Sequence, residues 1–283
     1  MTGNVDILSD LHLDFYFKQN FTTSENITSF FKQIFTDNDT REFGSVLIIA
    51  GDIGHYNEQN IEILKIFQKE FYKHIICVLG NHDYYLVNSE AKHTFDNNSF
   101  KRVEDMRKLI NQEENMYCLD GEVIEIEGIR FAGADSWYDE GYVKKYYTNL
   151  DNNHINLLWN SNINDSRLIK GITRFNDITK LEIEKIENIY QDCDVMITHV
   201  NPSISEEHID KKYHNSPINT FFTFDGSKFY KKGSMKFWVF GHTHDPIEYE
   251  IEDVKFLCNP LGYPNESQYG DNIKMKSFEI SMP

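Results

Sequence analysis

Five short stretches of this 283-residue chain place aspartate, asparagine and histidine at close intervals. They are Asp10-Leu11-His12, Gly51-Asp52-Ile53-Gly54, Gly80-Asn81-His82-Asp83, Thr198-His199-Val200-Asn201-Pro202 and Gly241-His242-Thr243-His244. The side chains offer carboxylate and carboxamide oxygens and imidazole nitrogens, with no thiolate. That donor set suits manganese, iron, zinc or cobalt rather than calcium or a structural zinc. Asp10, His12, Asp52, Asn81, His199, His242 and His244 are too many ligands for one ion and about right for two that share a carboxylate. Taken singly, each motif has a plain reading. Gly-Asp-x-Gly and Gly-Asn-His-Asp are common turns, because glycine tolerates positive φ and aspartate accepts local backbone bonds. What carries weight is that all five occur in one order, each directly after an apolar run.

Those runs are the elements that must position the ligands. Val5–Leu8, Val46–Ala50, Ile75–Leu79 and Val195–Thr198 are rich in β-branched residues, nearly continuous in apolar character, and stop abruptly. That is the pattern of strands buried on both faces. Lys236–Phe240 is a fifth, and Ile247–Ile251 and Val254–Cys258 read as two more, with Glu252 and Asp253 at the turn between them. Glu122–Glu127 and Ile129–Ala134 flank Gly128 as a tight hairpin. Helical spacing of apolar residues marks Asn57–Lys73, Asn176–Gln191 and the stretch around Phe30, Phe31, Ile34 and Phe35. Alternating strands and helices imply a layered α/β fold whose ligands sit in the crevice beyond the strand ends. Asp135–Phe175, rich in Asn and Tyr, reads as an irregular insertion over one end of the sheet.

The constellation resembles the calcineurin-like metallophosphoesterase superfamily, whose run is D-x-H, G-D, G-N-H-D/E, H and G-H-x-H. The match spans about Asp10 to His244, and the Thr198–Pro202 and Asn259–Pro264 segments are similar to the small bacterial branch. The resemblance implies a four-layer α/β/β/α sandwich formed by one domain over residues 1–283, and a two-metal centre. By it, Asp10, His12, Asp52 and His244 hold the first metal. Asp52, Asn81, His199 and His242 hold the second, with Asp52 bridging. Manganese is the first expectation for both, with iron or zinc as alternatives. His82 lies beside the metals and contacts the phosphate. Subfamilies that use the fold only as an interaction surface have lost parts of this set; here it is intact.

The chemistry implied is hydrolysis of a phosphomonoester or phosphodiester of a small substrate, nucleotides included, by in-line attack of a metal-bridging hydroxide. His82 is placed to protonate the leaving oxygen. Asp83 is read either as its orienter or as a turn residue. Asn81 and His82 are expected to face the substrate, and Trp137 and Tyr138 to stack a base or else to join Tyr142, Tyr146, Tyr147 and Trp159 in a core for the insertion. His55 is read as a solvent-facing loop residue with some reach toward the site. His74, His93, His154, His208 and His214 are expected at the surface.

Composition narrows the partners. The 28 Lys plus Arg against 45 Asp plus Glu give a formal charge of −17. That opposes counterion-driven binding to long nucleic acid and electrostatic contact with a membrane surface. It leaves a small phosphoester open, because bound cations invert the local field. A nuclease would share the site but want a basic groove, and Lys144-Lys145, Lys211-Lys212 and Lys231-Lys232 are only isolated pairs. A protein phosphatase is a further enzymatic option, disfavoured by the short chain and motif spacers, and a rival from a different class is a metal-bound interaction module without turnover. Cys77, Cys118, Cys193 and Cys258 form no C-x-x-C pair and read as buried thiols. No leader or long apolar run is visible, so the expected compartment is the cytoplasm. Oligomeric state is not addressed by the sequence.

Overall fold

A computed structural model describes residues 2–18, 23–36, 43–266 and 276–281. Two sheets carry the fold. The first contains β1 (Thr2–Leu8), β2 (Val46–Ala50), β3 (His74–Val78), β4 (Met116–Cys118) and β11 (Lys276–Ser281), in the order β11-β1-β2-β3-β4. The second contains β5 (Glu122–Ile126), β6 (Ile129–Gly133), β7 (Val195–Ile197), β8 (Phe237–Phe240), β9 (Glu248–Ile251) and β10 (Val254–Cys258), in the order β5-β6-β7-β8-β10-β9. β1 to β4 run parallel, as do β6, β7, β8 and β10; β5, β9 and β11 add antiparallel edges.

The period of two along each strand builds the layers. In β2, Val46, Ile48 and Ala50 join Ile76, Val78, Val195, Ile197, Val239 and Leu257 in one cluster, made by both sheets. The alternate residues Leu47, Ile49, Ile75 and Cys77 cluster with Phe31, Leu64 and Phe67 of the helices Ser24–Thr36 and Asn57–Glu70. Met196, Trp238 and Phe240 do the same on the far side, with Ile186 and Ile189 of helix Thr179–Ile189. Both faces of the central strands are therefore buried, and the sandwich is α/β/β/α as expected.

Both hairpins turn as expected. Glu127 (φ 53°) with Gly128 (φ 82°), and Glu252 (φ 52°) with Asp253 (φ 65°), hold the positive φ that two-residue turns need to match strand twist. The segment Asp135–Phe175 differs from expectation. It forms helices Gly141–Tyr146, Asn152–Asn162 and Asp165–Leu168. Asparagine is a weak helix former, so the signal is faint. Burial of Ile155 and Trp159 on one face, and the Asp151 carboxylate accepting from the N–H groups of Asn153 and His154, hold the second helix instead. Helix Ser99–Asn111 was also hidden, because Arg102 lies on its buried face beside Val103, Met106 and Ile110. All four cysteines are buried and free. No described helix is long and apolar enough to cross a membrane.

Candidate metal centre

Where β1, β2, β3, β7 and β8 stop, their following loops meet. Five of the seven expected ligands sit in left-handed backbone conformation: Asp10 (φ 51°), His12 (φ 43°), Asp52 (φ 56°), His242 (φ 71°) and His244 (φ 54°). Each costs roughly 1–2 kcal/mol in a non-glycine residue, so the surroundings must hold it. They do so by lacing loop to loop. Asp10 N–H donates to Gly51 O at 3.0 Å, His12 N–H to Asp52 O at 3.0 Å, and Gly241 N–H to His199 O at 2.8 Å. His242 N–H donates to the Asp10 carboxylate at 2.9 Å. Two glycines permit the approach. A Cβ on Gly51 would lie 2.3 Å from His199 Nδ1, and one on Gly80 would lie 2.2 Å from Asp52 Oδ1.

The side chains converge as the motifs imply. Ligand atoms of Asp10, His12, Asp52 and His244 lie within 4.8 Å of one another, and so do those of Asp52, His199 and His242. Asp52 belongs to both groups. Asn81 Oδ1 lies 3.1 Å from His199 Nε2, which places it with the second group. The donors fit a pair of cations. Nε2 of His12 and Nε2 of His244 face each other at 3.0 Å, 3.8 Å from Asp52 and 3.6 Å from Asp10 respectively. Lone pairs and carboxylates so gathered are what a divalent ion would bridge. Three of the four imidazoles also have the remaining nitrogen fixed: His199 Nδ1 to Ala50 O at 2.9 Å, His242 Nε2 to Phe221 O at 2.8 Å, and His244 Nδ1 to Glu266 at 2.6 Å. Such outer contacts set tautomer and ring direction in metal sites. His12 is instead held by stacking on Tyr263, at 4.4 Å between ring centres.

Burial, reinforced by neighbouring histidines, lowers the proton affinity of His12 and of His242 and keeps their lone pairs free. Burial also opposes charge on His199, but the Asp52 carboxylate outweighs it and raises that imidazole to about 10.

His82 sits beside the metal ligands. Its N–H donates to Asp52 Oδ1 at 2.8 Å, its Nδ1 lies 3.2 Å from His55 Nε2, and its Nε2 lies 3.3 Å from the Tyr263 hydroxyl. Burial pushes it down to about 3, against the pull of Asp52. Asp83 is not its orienter. The Asp83 carboxylate turns the other way and accepts the backbone N–H groups of Gly80, Asp52, Ile53 and Gly54 at 2.8 to 3.3 Å. It staples two ligand loops together, which needs an acceptor at that spot and leaves no lone pair for His82. The ring against His82 Nδ1 is His55, buried rather than solvent-facing, whose Nδ1 lies 2.9 Å from Asp14. Arg102 completes the support, donating to the carbonyls of His82, Asp83, Tyr85 and Gly54.

A cleft of about 260 Å³ opens over the ligands, floored by Asp52, Asn81, His82, His242 and His244. Tyr213, Phe221, Phe222 and Tyr263 wall it, with Asn162, Asn164 and Asp165. Trp137 and Tyr138 do not line it. Both are buried, with Trp137 Nε1 bonded to Phe175 O and the Tyr138 hydroxyl to Asp165; they serve the core of the 135–175 segment, together with Tyr142 and Trp159. Among the histidines expected at the surface, His93 and His154 are exposed and His208 and His214 half-buried, whereas His74 is buried at the start of β3. Asp14, Asp165, Tyr263 and Glu266 were not singled out individually. Tyr263 could have been, since it lies in the Asn259–Pro264 segment, which is tied to the first loop by Leu261 N–H to Ser9 O and Gly262 N–H to Asp10 O.

Comparison with known proteins agrees with this geometry. An uncharacterized protein of Acanthamoeba polyphaga mimivirus is 29% identical over 241 residues, covering 78% of this chain and 79% of that protein. The crystal structure of a phosphopantetheinyl hydrolase from Mycobacterium tuberculosis superposes with a TM-score of 0.64 at 15% identity, over 93% of this chain and 90% of that one, and so shares the fold. The family profile described as calcineurin-like phosphoesterase matches residues 3–246. With the sandwich, the two ligand groups and this match in agreement, the chain belongs to the calcineurin-like phosphoesterases.

Proposed function

We propose that the protein is a two-metal hydrolase of small phosphomonoesters or phosphodiesters, nucleotides among them. The observation that carries this reading is the convergence of Asp10, His12, Asp52, His199, His242 and His244 into two groups that share Asp52, with Asn81 beside the second. Divalent ions held there would supply an activated water at neutral pH and neutralise the phosphate. The protein's own residues do the rest. The Asp14 carboxylate accepts from His55 Nδ1–H at 2.9 Å and fixes that ring, whose Nε2 lies 3.2 Å from His82 Nδ1. With one hydrogen shared between those two nitrogens, the Nε2–H of His82 faces the cleft, and as it passes to the leaving oxygen the shared hydrogen settles on His82 Nδ1. Tyr263, stacked on His12, holds the far side of His82. Asn81 gives an uncharged oxygen, which leaves the second site more electrophilic than a carboxylate would.

The cleft supports a small substrate. No Lys or Arg is among the described residues lining it. Lys144 is paired with Glu140 and Lys212 with Asp245, so these lysines form no basic track for a polymer. The four buried free thiols suit a reducing compartment, which favours the cytoplasm. The test is a set of chromogenic mono- and diesters assayed with Mn2+, Fe2+ and Zn2+ on the native sequence and on Asp52→Asn. Hydrolysis that Asp52→Asn abolishes is expected. No hydrolysis of any ester with any of these ions would leave the interaction-module reading in its place.

A further inference from the structure

Asn81 poses a problem that the other ligands do not. A carboxylate presents oxygen whichever way it turns, and each imidazole here is fixed by a carbonyl, a carboxylate or a stacked ring. A carboxamide has one oxygen and one NH2 group, and a half-turn exchanges them. Only the oxygen binds a cation. Something outside residue 81 must choose.

We propose that Asp165, contributed by the segment between β6 and β7, is the positioning residue that makes Asn81 a ligand for the second metal; this rests on the two-metal reading above. The Asp165 side chain is fully buried. Its Oδ1 accepts from Asn81 Nδ2 at 2.8 Å, across 84 residues of sequence. Both oxygens of this side chain act as acceptors, so it takes the NH2 side and rejects the oxygen. The Asn81 oxygen is thereby sent the other way, to 3.1 Å from His199 Nε2. Asp165 is itself held. The Tyr85 hydroxyl donates to Oδ1 at 2.5 Å and the Tyr138 hydroxyl to Oδ2 at 2.8 Å. Trp159 Nε1, from helix Asn152–Asn162, donates to the Tyr138 oxygen at 2.6 Å. The helical segment therefore reaches the metal site through Trp159, Tyr138 and Asp165. A carboxylate pulling on the amide hydrogens also enriches the amide oxygen, so Asn81 gains donor strength without adding a formal charge to the ion.

A purely architectural Asp165, there to satisfy two buried tyrosines, would show the same contacts. The two roles separate by sign. Titration calorimetry of the metal-free full chain with Mn2+ is run on the native sequence, Asp165→Asn, Asn81→Asp and the double variant. Asp165→Asn is expected to weaken one of two sites by about 10- to 100-fold and leave the other unchanged. In the Asn81→Asp background two carboxylates face each other, so there the same Asp165→Asn change is expected to strengthen that site. Tyr138→Phe, a milder change that only loosens Asp165, should weaken the same site a few-fold. Loss of the same sign in both backgrounds, equal loss at both sites, or unchanged affinity in Asp165→Asn or Tyr138→Phe would overturn the proposal. A native protein that binds fewer than two ions would instead count against the two-metal reading.

Discussion

His55 Nε2 lies 3.2 Å from His82 Nδ1, while the other nitrogen of His55 lies 2.9 Å from the carboxylate of Asp14. The histidine beside the candidate ligands is thus backed by a second histidine and then a carboxylate. The arrangement predicts graded effects. His82→Ala should keep both metals and lose about 10²- to 10⁴-fold in kcat, the usual worth of a positioned acid. The loss should be largest on esters with poor leaving groups and small on p-nitrophenyl esters. His55→Ala should show the same leaving-group dependence at smaller amplitude, with KM little changed. Kinetics across a leaving-group series, alongside metal analysis, check this. If His82→Ala loses its metals, the role assigned to it is wrong.

Asp83 predicts a different phenotype although it is next in sequence. Its carboxylate satisfies four backbone N–H groups from two ligand loops, and burial with the nearby Asp52 raises it to about 6. Asp83→Ala strands those donors, at about 1–3 kcal/mol for each that finds no water. Urea unfolding of the metal-free chain should show a loss of at least about 2 kcal/mol, and metal retention should fall. The leaving-group dependence of the remaining activity should match that of the native protein. A steeper dependence, with native stability, would return Asp83 to the role of orienting His82 that its place in the sequence suggests.

The contrast between these neighbours shows what was legible in the sequence. The convergence of the candidate ligands was, because each follows a buried strand and each strand is a run of apolar residues. Direction was not. Nothing in Gly80-Asn81-His82-Asp83 says that Asp83 turns back toward Asp52, or that Asn81 points its NH2 at a residue 84 positions away. Trp137 and Tyr138 follow β6 as the metal ligands follow other strands, yet they turn into the 135–175 helices. Side-chain direction beyond a strand end is set by what packs there, and the Asn-rich helix that packs there carried a weak local signal.

Gly80 predicts a test of how tightly the site is drawn. A Cβ there would lie 2.2 Å from Asp52 Oδ1 and 2.6 Å from His199 Cε1. Asp52 cannot simply retreat, because the same oxygen accepts the His82 N–H at 2.8 Å. Gly80→Ala should therefore bind metal poorly and lose activity in proportion, with far-ultraviolet circular dichroism unchanged. Gly128→Ala is the control. Its added Cβ meets nothing within 4 Å, and the strain of φ +82° falls on a hairpin remote from the metals. It should cost about 1 kcal/mol of stability and no metal. Equal metal content in both variants would show that the loops can yield.

Glu182 predicts a pH dependence of stability away from the metals. It is buried on helix Thr179–Ile189, accepting from Ser136 N–H at 2.9 Å and from Lys185 at 2.7 Å. Burial and the nearby Asp135 carboxylate raise it from 4.5 to about 7, against the pull of Lys185. Its proton is held more tightly in the folded chain than in the unfolded one. The stability it contributes is full below pH 4.5 and is lost as pH rises through about 7. Other groups titrate over the same range, so the comparison must be with Glu182→Gln, which keeps the shape and cannot ionise. In metal-free buffer, native stability minus that of Glu182→Gln should fall between pH 5 and pH 8 in urea titrations. A difference that grows with pH would mean that the ion pair with Lys185 outweighs burial and that Glu182 is charged throughout.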